Sequence, residues 1–303
     1  MTSAAQSFAH LPASLRLGDR EVRRLGYGAM RLPGPDVWGP PLDPREAVRV
    51  VRRAVELGIQ FIDTSWYYGP HIANPIIAEA LHPYPADLLI ATKLGGMRTP
   101  DKGWAPYLRP EQLREGCEHD LRELRLETLD LVHLRCMPGE MPFLESLDVL
   151  LQLRAEGKLR QIGLSNVNVA QIKAALSRTP VATVQNLYNV AGGGGFLAKA
   201  THAEVDAPEE VLDFCTAQGI AFLPFFPLGV GTYGRPHGAL DAAAARHGVS
   251  TAQIALAWLL ARSPVMLPIP GTSSVAHLEE NWAARTVRLT PEEVAGIARE
   301  ARA

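Results

Sequence analysis

Lysine is scarce in this sequence of 303 residues, five against twenty-five arginines, so a lysine that ends an apolar run stands out from the basic background. Cysteine is scarcer still. Cys117, Cys136 and Cys215 are odd in number, widely spaced and without histidines at ligand spacing, which supports neither a disulfide framework nor a cysteine-based zinc site and suits a reducing compartment. Excess charge of either sign is missing. A net charge of -2 with scattered basic residues leaves no electrostatic footprint for nucleic acid or an anionic membrane, and makes a small molecule the expected partner. Long apolar runs are missing too: the longest, residues 254–261, falls far short of the roughly 20 residues that span a bilayer. The first seventeen residues have neither the charged start nor the apolar stretch of a secretory signal, so a cytoplasmic protein is expected. Nothing in the sequence speaks to oligomeric state.

What is present is a chain of 47% apolar residues whose short runs recur at regular intervals. The segment "SLRLGDREVRRLGYG" has two alternating stretches around Gly18-Asp19-Arg20 and predicts a hairpin with a tight turn. Strand-like runs follow at 25–30, 59–63, 87–92, 129–134, 160–164, 181–185, 220–224 and 265–269, separated mostly by stretches of helical period. Helix starts are marked by Asp43-Pro44-x-Glu46, Ser250-x-x-Gln253 and Thr290-Pro291-x-Glu293, each with an acceptor at the cap and Glu or Gln three residues on. Eight strands alternating with helices predict an α/β fold: one domain over residues 1–303, a (β/α)8 barrel with an N-terminal β-hairpin and extra helices at the C-terminus.

Two glycine-rich stretches compete for attention. Gly26-Tyr27-Gly28 starts like a dinucleotide fingerprint, but the third glycine is missing and no helix follows, which excludes a Rossmann turn. The four glycines at 192–195 open a polar loop of about fifteen residues, a length that in a compact domain belongs to a lid, a binding loop or a mobile connection.

In such a barrel the loops beyond the C-terminal strand ends build the active site. Here the second strand ends in Asp63, the third in Lys93, the fourth in Arg135, the fifth in Ser165 and Asn166, and the sixth in Gln185. Each has an ordinary structural reading: a turn cap, a helix start, a satisfied core amide. Together they converge on one rim.

These residues carry a resemblance to the aldo-keto reductase superfamily that extends over nearly the whole chain. Asp63 through Tyr68-Gly69 is similar to the family's Asp-x-x-x-x-Tyr-Gly, Thr92-Lys93 to its Thr-Lys strand end, and Gly163 to Asn166 to its Gly-x-Ser-Asn. Gln185 corresponds to the family's carboxamide-binding glutamine, and "PFFPLG" resembles its Tyr-Ser-Pro-Leu-Gly, with Phe225 where a tyrosine stacks on the nicotinamide. "IPGTSSVAHLEEN" resembles the segment that holds the adenosine phosphate and adenine. Within the superfamily, "LGYGAMRL" and "PFFPLG" resemble a bacterial branch that includes pyridoxal reductases. The resemblance implies NADP(H) bound in extended form by Ser165, Asn166, Gln185, Phe225, Pro227, Leu228, Gly229, Gly271, Thr272, Ser273, His277, Glu280 and Asn281. It implies a catalytic group of Asp63, Tyr68, Lys93 and Arg135, acting on an aldehyde or ketone, with no metal.

Carbonyl reduction needs a proton at oxygen as hydride reaches carbon, and a phenol with a pKa near 10 donates reluctantly at neutral pH. Lys93 beside Tyr68 is expected to lower that pKa, with Asp63 holding the ammonium. Tyr67 is assigned to packing, and Trp66 either to the pocket wall or to an exposed loop position. Arg135 stands where the family keeps a histidine; it cannot relay a proton but can bind an oxyanion, unless it pairs with Asp63 or Glu140. His133 shares its strand parity one layer deeper and is assigned to the core. Reduction of an activated double bond, and cofactor sensing without turnover, stay open as alternatives, while loops 94–108 and 192–207 have no readable specificity code.

Overall fold

Alternating apolar and polar side chains over residues 14–23 form a hairpin of β1 (Ser14–Leu17) and β2 (Arg20–Arg23), with Leu17 opposite Arg20. Gly18 has a φ of 57°, a left-handed conformation that glycine takes without steric cost. The computed structural model describes residues 11–137, 141–190, 208–229 and 238–300. The glycine stretch at 192–195 and its loop lie outside the described residues.

Seven parallel strands succeed the hairpin, with one short strand off the path. They are β3 (Tyr27–Gly28), β4 (Phe61–Asp63), β5 (Leu89–Arg98), β7 (Leu129–Arg135), β8 (Leu159–Ser165), β9 (Thr183–Leu187) and β10 (Ala221–Phe225); β6 (Trp104–Tyr107) pairs with β5 alone. Neighbours pair in sequence order and in parallel, which requires a crossover between each pair. Helices α1 (Pro44–Glu56), α2 (Ala73–Leu81), α3 (Pro110–Leu124), α4 (Phe143–Ala155), α5 (Val169–Leu176) and α6 (Pro208–Gln218) supply those crossovers. Beyond β10 come α7 (Gly238–His247), α8 (Thr251–Arg262), α9 (Val275–Ala283) and α10 (Pro291–Glu300).

The eighth apolar run, 265–269, is extended without being a regular strand. Pro268 and Pro270 have no backbone N–H to give a ladder. Their carbonyls still accept from Gly26 and Gly28 at 2.9 and 3.2 Å, while on the other side Val265 accepts from Phe222 and Leu267 donates to it, both at 2.8 Å. The segment therefore bonds to both β3 and β10, the two ends of the sheet.

Two of the three predicted capping pairs are reciprocal. Ser250 and Gln253 exchange side-chain to backbone bonds, as do Thr290 and Glu293. At Asp43 only half of the box forms: its carboxylate accepts from the amides of Arg45 and Glu46, and the Glu46 carboxylate instead accepts from the amide of Val275 at 3.1 Å.

Strand period decides what fills the interior. Phe61, Leu89, Leu131, Leu223 and Leu267 share one buried cluster with Leu17 and Val22, so the hairpin closes the end where the strands begin. Counting on by twos from those residues puts Asp63, Lys93, His133, Arg135 and Phe225 on the same inward face toward the strand C-termini. The 94–108 stretch, read as a loop from sequence, is largely a hairpin: β5 runs on past Lys93 to Arg98 and turns back through β6, with Arg98 opposite Trp104. Its Arg98 guanidinium stacks 4.3 Å from the Trp104 ring and donates to the carbonyls of Val37 and Asp36, which fixes the hairpin over the rim.

Candidate active site

At the C-terminal ends of β4, β5 and β9 three polar side chains meet. Lys93 Nζ donates to Asp63 Oδ2 at 2.6 Å and to the Thr64 carbonyl at 3.0 Å, and Gln185 Nε2 donates to Asp63 Oδ1 at 2.7 Å. All three are buried, so the carboxylate is oriented at both oxygens by donors and the ammonium is charge-compensated. Strand register produces the meeting: Asp63 lies opposite Ala91, two residues before Lys93, and Ser165 lies opposite both Arg135 and Gln185.

A carboxylate oxygen only accepts, so Gln185 must offer Asp63 its NH2, leaving Oε1 turned the other way. Gln185 Oε1 and Ser165 Oγ are both buried without a hydrogen-bond partner among the described residues. One amide acceptor and one hydroxyl donor on neighbouring strands are what a primary carboxamide requires, so these residues fit a nicotinamide ring. Asn166, at φ 57°, donates its backbone N–H to the Gln185 carbonyl at 3.2 Å.

Tyr68 is buried with its ring centre 5.1 Å from Lys93 Nζ. The expected lowering of its pKa is reversed: burial pushes the phenol well above its ordinary value, the Asp63 carboxylate adds to the rise, and Arg135 opposes it. Burial is the largest cause, and the ammonium, 5.1 Å from the ring centre, is paired with the Asp63 carboxylate.

Arg135 is buried, its guanidinium 5.8 Å from the Trp104 ring and 5.9 Å from the Phe225 ring. Of the two carboxylates considered for it, Asp63 is engaged by Lys93 and Gln185, and Glu140 lies outside the described residues. His133 is a core residue: Nδ1 donates to the Thr92 carbonyl at 3.3 Å and Nε2 accepts from Thr183 Oγ1 at 2.8 Å, and burial lowers its pKa to about 4. Tyr67 is fully buried and packs edge-on against Tyr68 and Trp104. Trp66 is buried rather than exposed: it packs edge-on against Tyr67, beside Tyr107 and beneath α3, where a side chain on Gly116 would meet its indole nitrogen.

The remaining expected cofactor residues sit on two segments. Phe225 ends β10, with Pro227 buried and Leu228 and Gly229 half-buried beyond it. Thr272 and Asn281 are buried, Glu280 is half-buried, and Gly271, Ser273 and His277 are exposed on the segment leading into α9. The Tyr27 hydroxyl anchors that segment by donating to the Thr272 carbonyl at 2.7 Å. Sequence reasoning missed two residues here. Trp104 was hidden in an apparent loop, although its alternation after Asp101-Lys102-Gly103 was a hairpin signal. Arg31 was read only as part of "LGYGAMRL", yet its Cγ would lie 3.2 Å from a Cβ placed on Gly271.

The model of the Aldo/keto reductase family matches residues 24–301. Pyridoxine 4-dehydrogenase of Escherichia coli strain K12 is 45% identical over 293 residues, covering 94% of this chain and 98% of that protein. An uncharacterized oxidoreductase of Schizosaccharomyces pombe is 39% identical over 287 residues, covering 95% and 89%. Among solved structures, an aldo-keto reductase from Klebsiella pneumoniae in complex with NADPH superposes with a TM-score of 0.75 at 25% identity, covering 96% of this chain and 95% of that one.

Proposed function

The chain belongs to the aldo/keto reductase family, and from that premise we propose that it reduces an aldehyde or ketone to the alcohol with NADPH, on a closed eight-stranded barrel in the cytoplasm. The observation that carries the reading is the Asp63, Lys93 and Gln185 cluster beside Tyr68, with two unsatisfied polar atoms aimed where a carboxamide fits. Bound NADPH supplies the hydride. Ser165 and Gln185 hold the carboxamide, and Phe225 gives a face for the ring beside it. Tyr68 donates its phenolic proton to the carbonyl oxygen; burial keeps that proton in place until a substrate oxygen asks for it. Arg135 favours the phenolate that remains and holds the substrate oxygen or an acidic substituent near it. Asp63 and Lys93 keep the charge beside Tyr68 fixed, so little reorganisation accompanies the proton transfer.

Similarity to pyridoxine 4-dehydrogenase over nearly that protein's whole length points to a flat heteroaromatic aldehyde such as pyridoxal. Trp104 and Phe225, whose rings lie 5.8 and 5.9 Å from the Arg135 guanidinium, provide aromatic walls for such a ring. NADPH oxidation in the presence of pyridoxal, and separately of nitrobenzaldehyde, tests both parts. Alcohol products from both are expected. An alcohol from nitrobenzaldehyde alone would exclude the pyridoxal assignment, and NADPH binding without turnover of either would exclude the reductase.

A further inference from the structure

On the outer side of Trp66, away from the carbonyl pocket, two histidines and a glutamate converge. His119 and Glu123 are four apart on α3 and therefore share a face, while His71 reaches them from the segment between β4 and α2. One ligand atom from each lies within 4.8 Å of the others. We propose that His71, His119 and Glu123 form a binding site for one Zn2+ ion.

The Glu123 side chain is only 10% exposed; its Oε1 lies 2.5 Å from His71 Nδ1, and Oε2 is buried without a partner among the described residues. A buried carboxylate with one open oxygen is costly unless a cation satisfies it. His71 is held at φ 61°, a left-handed conformation unusual for a residue with a Cβ and common at functional positions. The Trp66 indole lies 5.4 Å from the His71 ring and 5.1 Å from the His119 ring and shields both imidazoles on one side.

Ligands of one tetrahedral zinc ion at about 2.1 Å are roughly 3.4 Å apart, so the widest separation, within 4.8 Å, must close by about 1 Å, while His71 Nδ1 and Glu123 Oε1, now 2.5 Å apart, must open by about 1 Å if both bind. Zinc takes one nitrogen of His119, so one present contact must yield: the donation of the Arg122 guanidinium to Nδ1, or the approach of Glu115 Oε1 to 3.6 Å from Nε2. Both partners are exposed and can swing away. Two imidazoles and a carboxylate, with room for water as a fourth ligand, suit Zn2+, whereas Mg2+ and Ca2+ ask for oxygen ligands throughout.

Calorimetric titration of the chelator-treated full chain with Zn2+ alone tests the site. Expected are one saturable site per chain, a visible Co2+ absorption band bleached by Zn2+, and affinity weakened roughly tenfold or more by His71→Ala, His119→Ala and Glu123→Gln. Glu123→Gln keeps the side-chain volume, and circular dichroism confirms folding for each variant. Absence of saturable Zn2+ binding to the unsubstituted chain, or equal affinity in folded Glu123→Gln and either folded histidine variant, would overturn the proposal.

Discussion

Lys93 and Asp63 form a buried ion pair, Nζ to Oδ2 2.6 Å, with 1% and 4% of their side chains exposed. Removing one member leaves the other charge buried and uncompensated, which costs about 3–5 kcal/mol. Lys93→Met should therefore lose both activity and stability. Adding Asp63→Asn should restore most of the melting temperature and none of the turnover, since the positive charge beside Tyr68 is still missing. Recovery of activity in the double variant would refute a catalytic role for the ammonium.

Tyr68→Phe removes the phenolic oxygen and little packing. Turnover should fall by several orders of magnitude while NADPH affinity, read by fluorescence titration, stays near wild type. Retention of more than about a tenth of the activity would mean that only ~1.4 kcal/mol of barrier was at stake, too little for the general acid.

Arg135→Met separates substrate binding from scaffolding. Loss of a charged hydrogen bond to substrate should lower kcat/KM by roughly 2–3 kcal/mol with little change in Tm. A large drop in Tm with normal activity in the surviving folded enzyme would make Arg135 structural.

Asp120 links pH to stability through a buried chain of bonds: Asn74 Nδ2 donates to its Oδ1 at 2.7 Å, and Thr64 Oγ1 donates to Asn74 Oδ1 at 2.8 Å. Burial raises its pKa from 3.8 to about 8. Because the folded value is the higher one, the folded state holds a proton that the unfolded chain releases; the favourable contribution is complete below about pH 4 and is lost as pH rises to 8. Asp120→Asn stays neutral throughout. Its stability advantage over wild type, read by denaturant unfolding, should grow between pH 4 and 8 toward about 6 kcal/mol, and a margin that shrinks with rising pH would contradict the assignment.

Arg31 packs across Gly271, and we propose that its guanidinium meets the 2′-phosphate of NADPH at that segment. Preference for NADPH over NADH should be modest, and Arg31→Gln should raise the KM for NADPH about tenfold while sparing NADH. Equal effects on both cofactors would place Arg31 elsewhere.

The sequence by itself determined the alternation of strands and helices through β10, apart from β6, the reciprocal caps at Ser250 and Thr290, and the shared parity of Asp63, Lys93 and Arg135. Period-two alternation and cap chemistry are local, so they survive without knowledge of the fold. Tertiary structure decided everything that depends on which groups share space. The direction of the Tyr68 shift reversed because burial raises the phenol's pKa and the Asp63 carboxylate, which also pairs with Lys93, adds to the rise. Segment 265–270 joined both ends of the sheet through carbonyls, although its prolines prevent a regular ladder. Trp104 came to lie beside Arg135 because Gly95, at φ 105°, runs close against the backbone of Arg135 and carries β5 over the rim. The convergence of His71 with His119 and Glu123 has no sequence signal at all, because nearly fifty residues separate ligands that only the packing of α3 on Trp66 brings together.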